Sequence, residues 1–272
     1  MSDAAGDTQE YRYARHLSID VVGGAGQERI QDAAILVVGA GGLGSPVIAY
    51  LAAAGVGTLH LVDPDVVETS NLQRQVVHAE ADVGRPKVES AREFVTDLNS
   101  EIDVHTYQAE FGPENAADLV EGRDVVVDCT DNFRARYVIN DACTLADVPF
   151  VHGAVYRLEG QVSTFGTEAD SPCYRCLFSE APPEEATPDC AVDGVLSPLP
   201  GTIGTIEATE VIKTVVGFGD TLDGRLMVYD GEDMTTEEVP VRRNPDCPVC
   251  GDEPAVDSIS EIEYEHPFAI EP

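Results

Sequence analysis

Apolar runs alternate with polar, turn-forming stretches along the first half of the chain, and each run has the length of a strand or a helix. Ala33 to Val38 is a short run rich in branched residues, which is typical of a buried strand. A glycine-rich turn and an apolar helix from about Leu43 to Ala54 follow it, and Thr58 to Val62 supplies the next strand. The alternation continues with predicted helices at Lys87 to Leu98 and Phe133 to Ala146 and predicted strands at Ile102 to Tyr107, Asp124 to Asp128 and Phe150 to Val155. This order predicts an α/β fold with a doubly wound, Rossmann-like, mostly parallel sheet.

The pattern changes after Gly153. Gln161 to Phe165 and Arg225 to Tyr229 have the pattern of strands that no longer alternate regularly with helices, and a helix is predicted from about Thr202 to Val216. These features predict an α+β C-terminal half. Residues 168–200 form a Pro- and acid-rich connection, and a connection of that length in a compact domain is usually functional or mobile. We therefore predict a crossover loop there.

The chain is strongly acidic. Its formal net charge is −34, from 50 acidic and 16 basic residues, and Lys87 and Lys213 are its only lysines. Such a surface repels phosphate backbones and anionic lipids, which disfavours direct nucleic-acid and membrane partners. At about 1 M salt the Debye length falls to about 3 Å, so the self-repulsion is screened. The composition therefore indicates adaptation to a salty cytoplasm, as in salt-loving organisms.

The start of the chain and its longest uncharged stretch bear on localisation. Residues 1–10 are polar and acidic, which is unlike a signal peptide and predicts a cytoplasmic protein. Residues 33–62 carry no Asp, Glu, Lys or Arg, a length that also fits a membrane span. That stretch contains six glycines and a proline, spaced as strand, turn, helix and strand. A buried β-α-β unit is therefore the better interpretation.

The glycine-rich turn predicts a nucleotide site. Gly39, Gly41, Gly42 and Gly44 stand between a predicted strand and helix, where backbone amides approach phosphates closely. Asp63 ends the second strand, where a carboxylate can accept hydrogen bonds from ribose hydroxyls. These features alone leave a NAD- or FAD-dependent oxidoreductase open. The chain has no GxxxxGK[ST] P-loop, so if it binds ATP, side-chain cations must hold the phosphates.

Such cations lie near the turn in sequence. Arg74 follows the second strand, Lys87 begins the next predicted helix, and Arg15 stands in the N-terminal segment. Asp131 follows the strand that ends at Asp128, where it could hold Mg²⁺. Taken singly, each of these residues is explained equally well as a solvated surface charge and as part of a binding site. Together they favour a triphosphate and metal site over a redox domain.

Two Cys-x-x-Cys units predict a metal knot. Tetrahedral Zn²⁺ takes two thiolates from each unit, and a fully closed site of this kind is structural. Redox pairs and disulfides are the alternatives, but disulfides fit a cytoplasmic chain poorly. Small-residue packing is the simpler explanation for Cys129 and Cys143. The four predicted zinc ligands are Cys173, Cys176, Cys247 and Cys250.

Six segments in a consistent order resemble the ubiquitin-activating-enzyme-like adenylyltransferases. The chain is most similar to short prokaryotic members that activate sulfur-carrier proteins for molybdopterin, thiamin or thiolated tRNA, and the resemblance runs from about Tyr11 to Gly251. The segments are Arg12-Tyr13-Ala14-Arg15-His16, Gly39 to Gly44, Asn71-Leu72-Gln73-Arg74-Gln75, Gly84-Arg85-Pro86-Lys87, Asp128 to Asn132, and Cys173-Tyr174-Arg175-Cys176.

The resemblance implies ATP-dependent adenylation of a carrier protein that ends in Gly-Gly, with release of pyrophosphate. It implies that Asp63 holds the ribose, that Asn71, Arg74 and Lys87 hold the phosphates, and that Asp131 holds Mg²⁺. Arg15 would reach in from the second subunit of a homodimer. The implied organisation is a helical arm at residues 1–30, an ATP-binding region at 31–155, a carrier-binding and zinc region at 156–256 and an acidic tail at 257–272.

Cys190 lies where relatives carry a reactive cysteine, so the resemblance implies a thioester or sulfur-transfer step after adenylation. Asp189 and Asp193 oppose this role, because nearby negative charge raises the pKa of a thiol. A separate sulfur donor is needed if the product is a thiocarboxylate. A thiamin- or molybdopterin-only enzyme, a tRNA-modifying relative without a carrier, a NAD-dependent oxidoreductase and an inactive scaffold remain the alternatives.

Overall fold

The computed structural model describes residues 11–179, 194–262 and 264. Within these residues one sheet of eight strands runs through the molecule in the order β3-β2-β1-β4-β5-β6-β7-β8. The strands are β1 Ala34–Val38, β2 Thr58–Val62, β3 Asp103–Tyr107, β4 Val125–Asp128, β5 Phe150–Tyr156, β6 Glu159–Phe165, β7 Arg225–Asp230 and β8 Thr235–Pro240.

Helices cover both faces of the sheet. Short 3-10 turns occur at Thr69–Asn71, Glu80–Asp82 and Ile259–Glu261. The helices are α1 Ala14–Leu17, α2 Gly23–Asp32, α3 Gly44–Ala54, α4 Lys87–Leu98, α5 Ala116–Val120, α6 Phe133–Ala146, α7 Tyr174–Leu177 and α8 Pro198–Val216.

The first five strands are parallel, as the alternating pattern predicts. β1 pairs with β2 on one side and with β4 on the other, and β3 and β5 extend the sheet outward. Successive side chains of a strand point to opposite faces. Ile35 and Val37 therefore join the core beneath α2, α3, α4 and α8, whereas Leu36 and Val38 join the core beneath α5, α6 and α7. A strand buried on both faces has to be apolar throughout, which explains the unbroken apolar run of β1.

The sheet changes character at β5, which pairs in parallel with β4 and antiparallel with β6. β6, β7 and β8 continue antiparallel. The predicted α+β half is thus an extension of the same sheet. α8 crosses this junction and packs against α3 and β5.

The N-terminal arm is anchored at the end of α3 farthest from the glycine-rich turn. Tyr13 is buried, and its hydroxyl accepts a hydrogen bond from Asn99 Nδ2 at 2.9 Å. A Cβ on Gly55, which follows α3, would lie 2.2 Å from that hydroxyl, so the ring occupies the place of a side chain. His16 Nδ1 lies 2.9 Å from Gln27 Oε1 on α2.

Among the described residues, no helix combines the length and the apolar character needed to cross a bilayer.

Candidate nucleotide site and cysteine cluster

A cleft of about 540 Å³ opens at the carboxyl ends of β1, β2 and β4, and the glycine-rich turn forms its floor. Gly39 has φ +99°, and a Cβ there would lie 2.7 Å from the carbonyl oxygen of Cys129. A Cβ on Gly44 would lie 2.0 Å from the carbonyl oxygen of Gly39. Only glycine lets the chain turn this tightly from β1 into α3, so both predicted glycines are required by the backbone. Gly41 and Gly42 line the cleft between them.

Asp63 joins the end of β2 to the turn. Its carboxylate accepts hydrogen bonds from the backbone N–H groups of Ala40, at 2.8 Å, and Asp65, at 2.9 Å. Burial raises the pKa of Asp63 above its usual value, whereas the Lys87 ammonium and the two N–H donors act in the opposite direction. The carboxylate thereby fixes the turn and also lines the cleft.

Lys87 brings a positive charge into the cleft at the first residue of α4. Its ammonium lies 2.7 Å from Asp65 Oδ2 and 3.9 Å from Asp63 Oδ1, and its side chain is 8% exposed. Arg74 also lines the cleft, and its guanidinium donates to the carbonyl oxygen of Ser70 at 3.3 Å. The structure therefore places Asp63, Arg74 and Lys87 around one space.

Two residues that the sequence reasoning did not select support the turn. His78 is buried, with Nε2 3.0 Å from the carbonyl oxygen of Ala40 and Nδ1 2.8 Å from Ser90 Oγ. Burial lowers the pKa of His78, which favours a neutral ring. Gln75 is also buried and lines the cleft, and its Oε1 has no hydrogen-bond partner among the described residues. The polar run that contains Arg74 also contains Gln75, but its pattern does not reveal which side chain turns inward.

Asp131 lies exposed at the lip of the cleft, in the loop between β4 and α6. Asn132 begins the helix by accepting a hydrogen bond from Ala135 N at 2.9 Å. Asp128 holds the other end of the loop, because its Oδ1 accepts bonds from the backbone N–H of Thr130, at 3.0 Å, and from Thr130 Oγ1, at 2.6 Å. Hydrogen bonds thus fix both ends of the loop that carries Asp131.

A buried Asp–His pair lies behind this loop, and no local sequence motif marks its histidine, His152, as part of the site. His152 Nδ1 lies 2.7 Å from Asp128 Oδ2, and both side chains are 1% exposed. Burial alone would raise the pKa of Asp128, but His152 and the nearby Arg136 charge hold it below its usual value. Burial lowers the pKa of His152 despite the carboxylate beside it. A neutral His152 that donates from Nδ1 to an ionised Asp128 satisfies both groups.

Two predicted site residues are not gathered at the cleft, and a third cannot be placed. Asn71 ends a 3-10 turn, and its Oδ1 accepts a hydrogen bond from Glu68 N at 3.2 Å. Arg15 is exposed on α1, which is anchored beyond the far end of α3. Cys190 lies outside the described residues.

The four paired cysteines come together as predicted. Their sulfurs all lie within 4.8 Å of one another, with Cys173 3.6 Å from Cys247 and Cys176 3.3 Å from Cys250. A tetrahedral Zn²⁺ with Zn–S distances of about 2.3 Å spaces its sulfurs about 3.8 Å apart. The donor set and its spacing therefore fit a closed zinc site. Asn244 N donates to Cys176 Sγ at 3.3 Å.

The two residues between Cys173 and Cys176 tie the cysteine cluster to α6. Arg175 donates to both carboxylate oxygens of Asp141, each at 2.7 Å, and the pair is fully buried. Tyr174 N donates to Asn140 Oδ1 at 2.6 Å, and the Tyr174 ring lines the cleft. Because α6 starts directly after Asp131 and Asn132, the cluster and the lip of the cleft are attached to the same helix.

Glu207 is a second buried carboxyl near the cleft. It lies on α8 against Gly153, where a Cβ would approach the carboxyl carbon within 2.3 Å. Cys129 Sγ lies 3.9 Å from Oε1, and Oε2 has no hydrogen-bond partner within the described part of the chain. Burial and the neighbouring Asp128 charge raise the pKa of Glu207 well above its usual value, which favours the protonated form in the folded protein.

Glu207→Gln is expected to flatten the pH dependence of stability. Below the unfolded pKa of about 4.3 both states of the wild type bind the proton; above it the unfolded state releases the proton first. The contribution of Glu207 to wild-type stability should therefore fall with rising pH by up to about 1.4 kcal/mol per unit, until the folded pKa is reached. The amide of the variant does not titrate, so the stability of the variant relative to that of the wild type should increase as pH rises. Thermal melts of both proteins at several pH values in molar KCl measure this difference. Glu237→Gln, which changes an exposed glutamate, is the control. If the Tm of Glu207→Gln and that of the wild type change in parallel with pH, the expectation is wrong.

Comparisons with known proteins identify similar sequences along almost the whole chain. The sequence profile described as the ThiF family matches residues 13–249. The "SAMP-activating enzyme E1" of Haloferax volcanii is 55% identical over 263 residues, which span 97% of this chain and 96% of that protein. The "Sulfur carrier protein adenylyltransferase" of Thermus thermophilus is 45% identical over 258 residues, which span 93% of this chain and 94% of that protein.

Among solved structures, Escherichia coli MccB has the same fold. The TM-score is 0.78 at 23% identity, and the match covers 88% of this chain and 74% of that one. This likeness concerns the fold. The Haloferax relative supports the salt adaptation that the composition indicates.

Proposed function

The chain belongs to the ThiF family, and from that premise we propose that it uses ATP to adenylate the terminal Gly-Gly carboxylate of a ubiquitin-like or sulfur-carrier protein. The observation that carries the proposal is the gathering of Asp63, Arg74, Lys87 and Asp131 around the glycine-rich turn. A redox domain needs no such set of cations with a metal carboxylate. The printed names of the two near full-length relatives agree with this activity.

In the proposed reaction, a carboxylate oxygen of the carrier bonds to the α-phosphorus of ATP. The bond from that phosphorus to the α–β bridging oxygen breaks, and pyrophosphate leaves with the electron pair. The product is an acyl adenylate. Lys87 and Arg74 neutralise the charge that builds on the phosphates, the N–H groups at the start of α3 face them, and Asp63 holds the ribose. Asn71 is assigned to the phosphates by the resemblance, which requires its side chain to leave the 3-10 turn.

Asp131 is the proposed Mg²⁺ ligand. A single exposed carboxylate at the lip of a phosphate site suits this ion, because Mg²⁺ is usually bound by one or two carboxylates together with substrate phosphates and water. When bound, the ion would supply charge neutralisation to the departing pyrophosphate. The Asp128–His152 pair then has a positioning role, since it holds the loop that presents Asp131.

Arg15 is proposed to act in the cleft of a second subunit. α3 begins at the cleft and is 11 residues long, so its far end is about 16 Å away. Tyr13 fixes the arm beyond that far end, next to Gly55. Arg15 therefore has no short path to the cleft of its own chain, and this supports a homodimer in which Arg15 of one subunit reaches the cleft of the other.

Zinc is proposed as a structural ion at Cys173, Cys176, Cys247 and Cys250, with residues 31–155 as the ATP-binding region and 156–256 as the carrier-binding and zinc region. We place Cys190 after adenylation, in a thioester or sulfur-transfer step that serves protein conjugation, molybdopterin synthesis or tRNA thiolation. For the thiocarboxylate route we propose a sulfur donor as a further partner. The acidic surface and the Haloferax relative support work in a salty cytoplasm.

The test is exchange of labelled pyrophosphate into ATP, in molar KCl with Mg²⁺, with and without small ubiquitin-like proteins that end in Gly-Gly. We expect exchange that depends on the carrier and disappears when its last glycine is deleted. Zinc content is measured in the same preparation by elemental analysis, with about one ion per subunit expected. Tight NAD⁺ binding together with no pyrophosphate exchange for any carrier would contradict the proposal and favour an oxidoreductase.

A further inference from the structure

Gln75 is a buried amide in the nucleotide cleft that lacks a hydrogen-bond partner. The residue is 3% exposed, and its Oε1 accepts no hydrogen bond in the part of the chain that the structure describes. A buried polar atom without a partner is costly, because it has lost its bonds to water and has gained none in exchange. Gln75 lines the cleft, where a ligand can supply the missing bond. The amide is therefore a candidate ligand-binding group.

Backbone hydrogen bonds hold Gln75 against the glycine-rich turn. Its N–H donates to the carbonyl oxygen of Asn71 at 3.0 Å, and its own carbonyl oxygen accepts from His78 N at 3.1 Å. The His78 ring is also fixed to the turn, with Nε2 3.0 Å from the carbonyl oxygen of Ala40. The amide is therefore positioned before any ligand binds.

Two adjacent side chains lie beside two adjacent glycines of the turn. A Cβ on Gly41 would lie 3.5 Å from Gln75 Nε2, and a Cβ on Gly42 would lie 3.5 Å from Arg74 Cδ. All four residues line the cleft. Each glycine of the pair thus has its own polar side chain next to it, an amide at Gly41 and a guanidinium at Gly42.

The order of these residues matches the order of the groups in a nucleotide. Asp63, the proposed ribose ligand, accepts a hydrogen bond from Ala40 N at 2.8 Å, which places the ribose beside Ala40. The α-phosphate is attached to the ribose, and the β- and γ-phosphates follow it. One residue beyond Ala40, the α-phosphate would meet Gly41 and its amide. The outer phosphates would then meet the next glycine and its guanidinium.

An amide suits the first of these positions because it offers a donor without a charge. Phosphate oxygens only accept hydrogen bonds, and a carboxamide can turn its NH2 group toward them. Hydrogen bonds to an ionised oxygen are roughly twice as strong as those between neutral groups. A cation beside these carboxylates is already paired, as Lys87 is with Asp65 at 2.7 Å. The Gln75 amide has no such pair to break when it binds a phosphate.

We propose that the Gln75 amide binds an oxygen of the α-phosphate, the group that the carrier carboxylate attacks. The inference rests on the proposed function for the identity of the nucleotide. It assigns the reacting phosphate to a neutral donor and leaves the outer phosphates to Arg74 and Lys87. AMP keeps only the α-phosphate, so its binding should depend on Gln75 as much as the binding of ATP does.

Gln75→Met keeps the approximate size of the side chain and removes its hydrogen bonds. The variant loses an unpartnered buried polar group, so its Tm should equal or exceed that of the wild type. Its Kd for ATP and its Kd for AMP should each rise about tenfold, measured by calorimetry in molar KCl with Mg²⁺ and without a carrier. Gln75→Glu places a negative charge against the phosphate and should bind both nucleotides more weakly still.

Gln31→Glu is the matched control for the added charge. Gln31 lies at the end of α2, which leads into the end of β1 opposite the cleft. Its Kd values for ATP and AMP should equal those of the wild type.

ATP with one α-phosphate oxygen replaced by sulfur identifies the contact. Its two stereoisomers present sulfur, a weak acceptor, at different positions. One isomer should bind the wild type more weakly than the other, and this difference should shrink in Gln75→Met. A difference of equal size in both proteins overturns the proposal, because the amide then contacts neither α-phosphate oxygen.

Two other outcomes also overturn the proposal. One is an unchanged Kd for AMP in Gln75→Met. The other is a loss of affinity confined to ATP, which would place the amide at the outer phosphates. Binding is measured without a carrier, so absence of pyrophosphate exchange in a wild type that binds AMP would count against the proposed function alone.

Discussion

Asp131→Ala should lower carrier-dependent pyrophosphate exchange about a thousandfold, because it removes the carboxylate proposed to hold Mg²⁺ at the departing phosphates. Asp131 is exposed at the lip of the cleft, so its loss leaves both cores intact. The free energy of unfolding should change by less than about 0.5 kcal/mol. Exchange rates over a range of Mg²⁺ concentrations and a thermal melt of the same preparation measure the two effects.

Two further variants sharpen this test. Asp131→Asn keeps the size of the side chain but removes its charge, and it should lose nearly as much exchange as Asp131→Ala. Asp97→Ala, which removes an exposed carboxylate from α4, should exchange like the wild type. If Asp131→Asn retains exchange at saturating Mg²⁺, the assignment of this residue as a metal ligand is wrong.

The second large effect is expected from salt. Raising KCl from dilute buffer to about 2 M should raise Tm by roughly 20 °C, because the Debye length falls below about 3 Å and the acidic groups stop repelling one another. The structure contains surfaces where this repulsion is concentrated. On the edge strand β8, Glu237 and Glu238 are both exposed, and of the described basic residues only Arg225 forms an ion pair there.

Melts in KCl, in choline chloride and in sucrose of matched osmolality distinguish the cause. If charge screening is the cause, Tm should rise in both salts but not in sucrose. If exclusion of the cosolvent from the protein surface is the cause, Tm should also rise in sucrose. A Tm that does not change between dilute buffer and 2 M KCl would falsify the interpretation of the acidic surface as salt adaptation.

Strong apolar periodicity made the central elements of the fold predictable from sequence. The predicted bounds of β2, α4 and α6 agree with the structure, and β1 differs by one residue. β8 was missed because every residue of Thr235–Pro240 is exposed, which leaves no apolar alternation to detect. α8 begins at Pro198, earlier than predicted, since prolines in a first helical turn lose no intrahelical hydrogen bond.

The site was predictable where the chemistry lies in a local motif. The glycine-rich turn, Asp63 after a strand and the Cys-x-x-Cys units each carry their signal in a few neighbouring residues. The pairs that support them do not: Asp128 lies 24 residues from His152, and Asp141 lies 34 residues from Arg175. Whether such side chains meet depends on how strands and helices pack, and a single sequence does not contain that information in any short window.

The Asp141 carboxylate also imposes an order on folding during synthesis. Its partners are translated late, Arg175 after 34 further residues and Tyr264, whose hydroxyl donates to Asp141 Oδ2 at 2.7 Å, after 123. The cysteines that meet at the cluster are themselves 74 residues apart. On the ribosome, the parallel strands can therefore assemble while α6 still has to keep this carboxylate in water. The face of the nascent domain that receives the cysteine cluster is therefore the last for which the chain supplies the contacts.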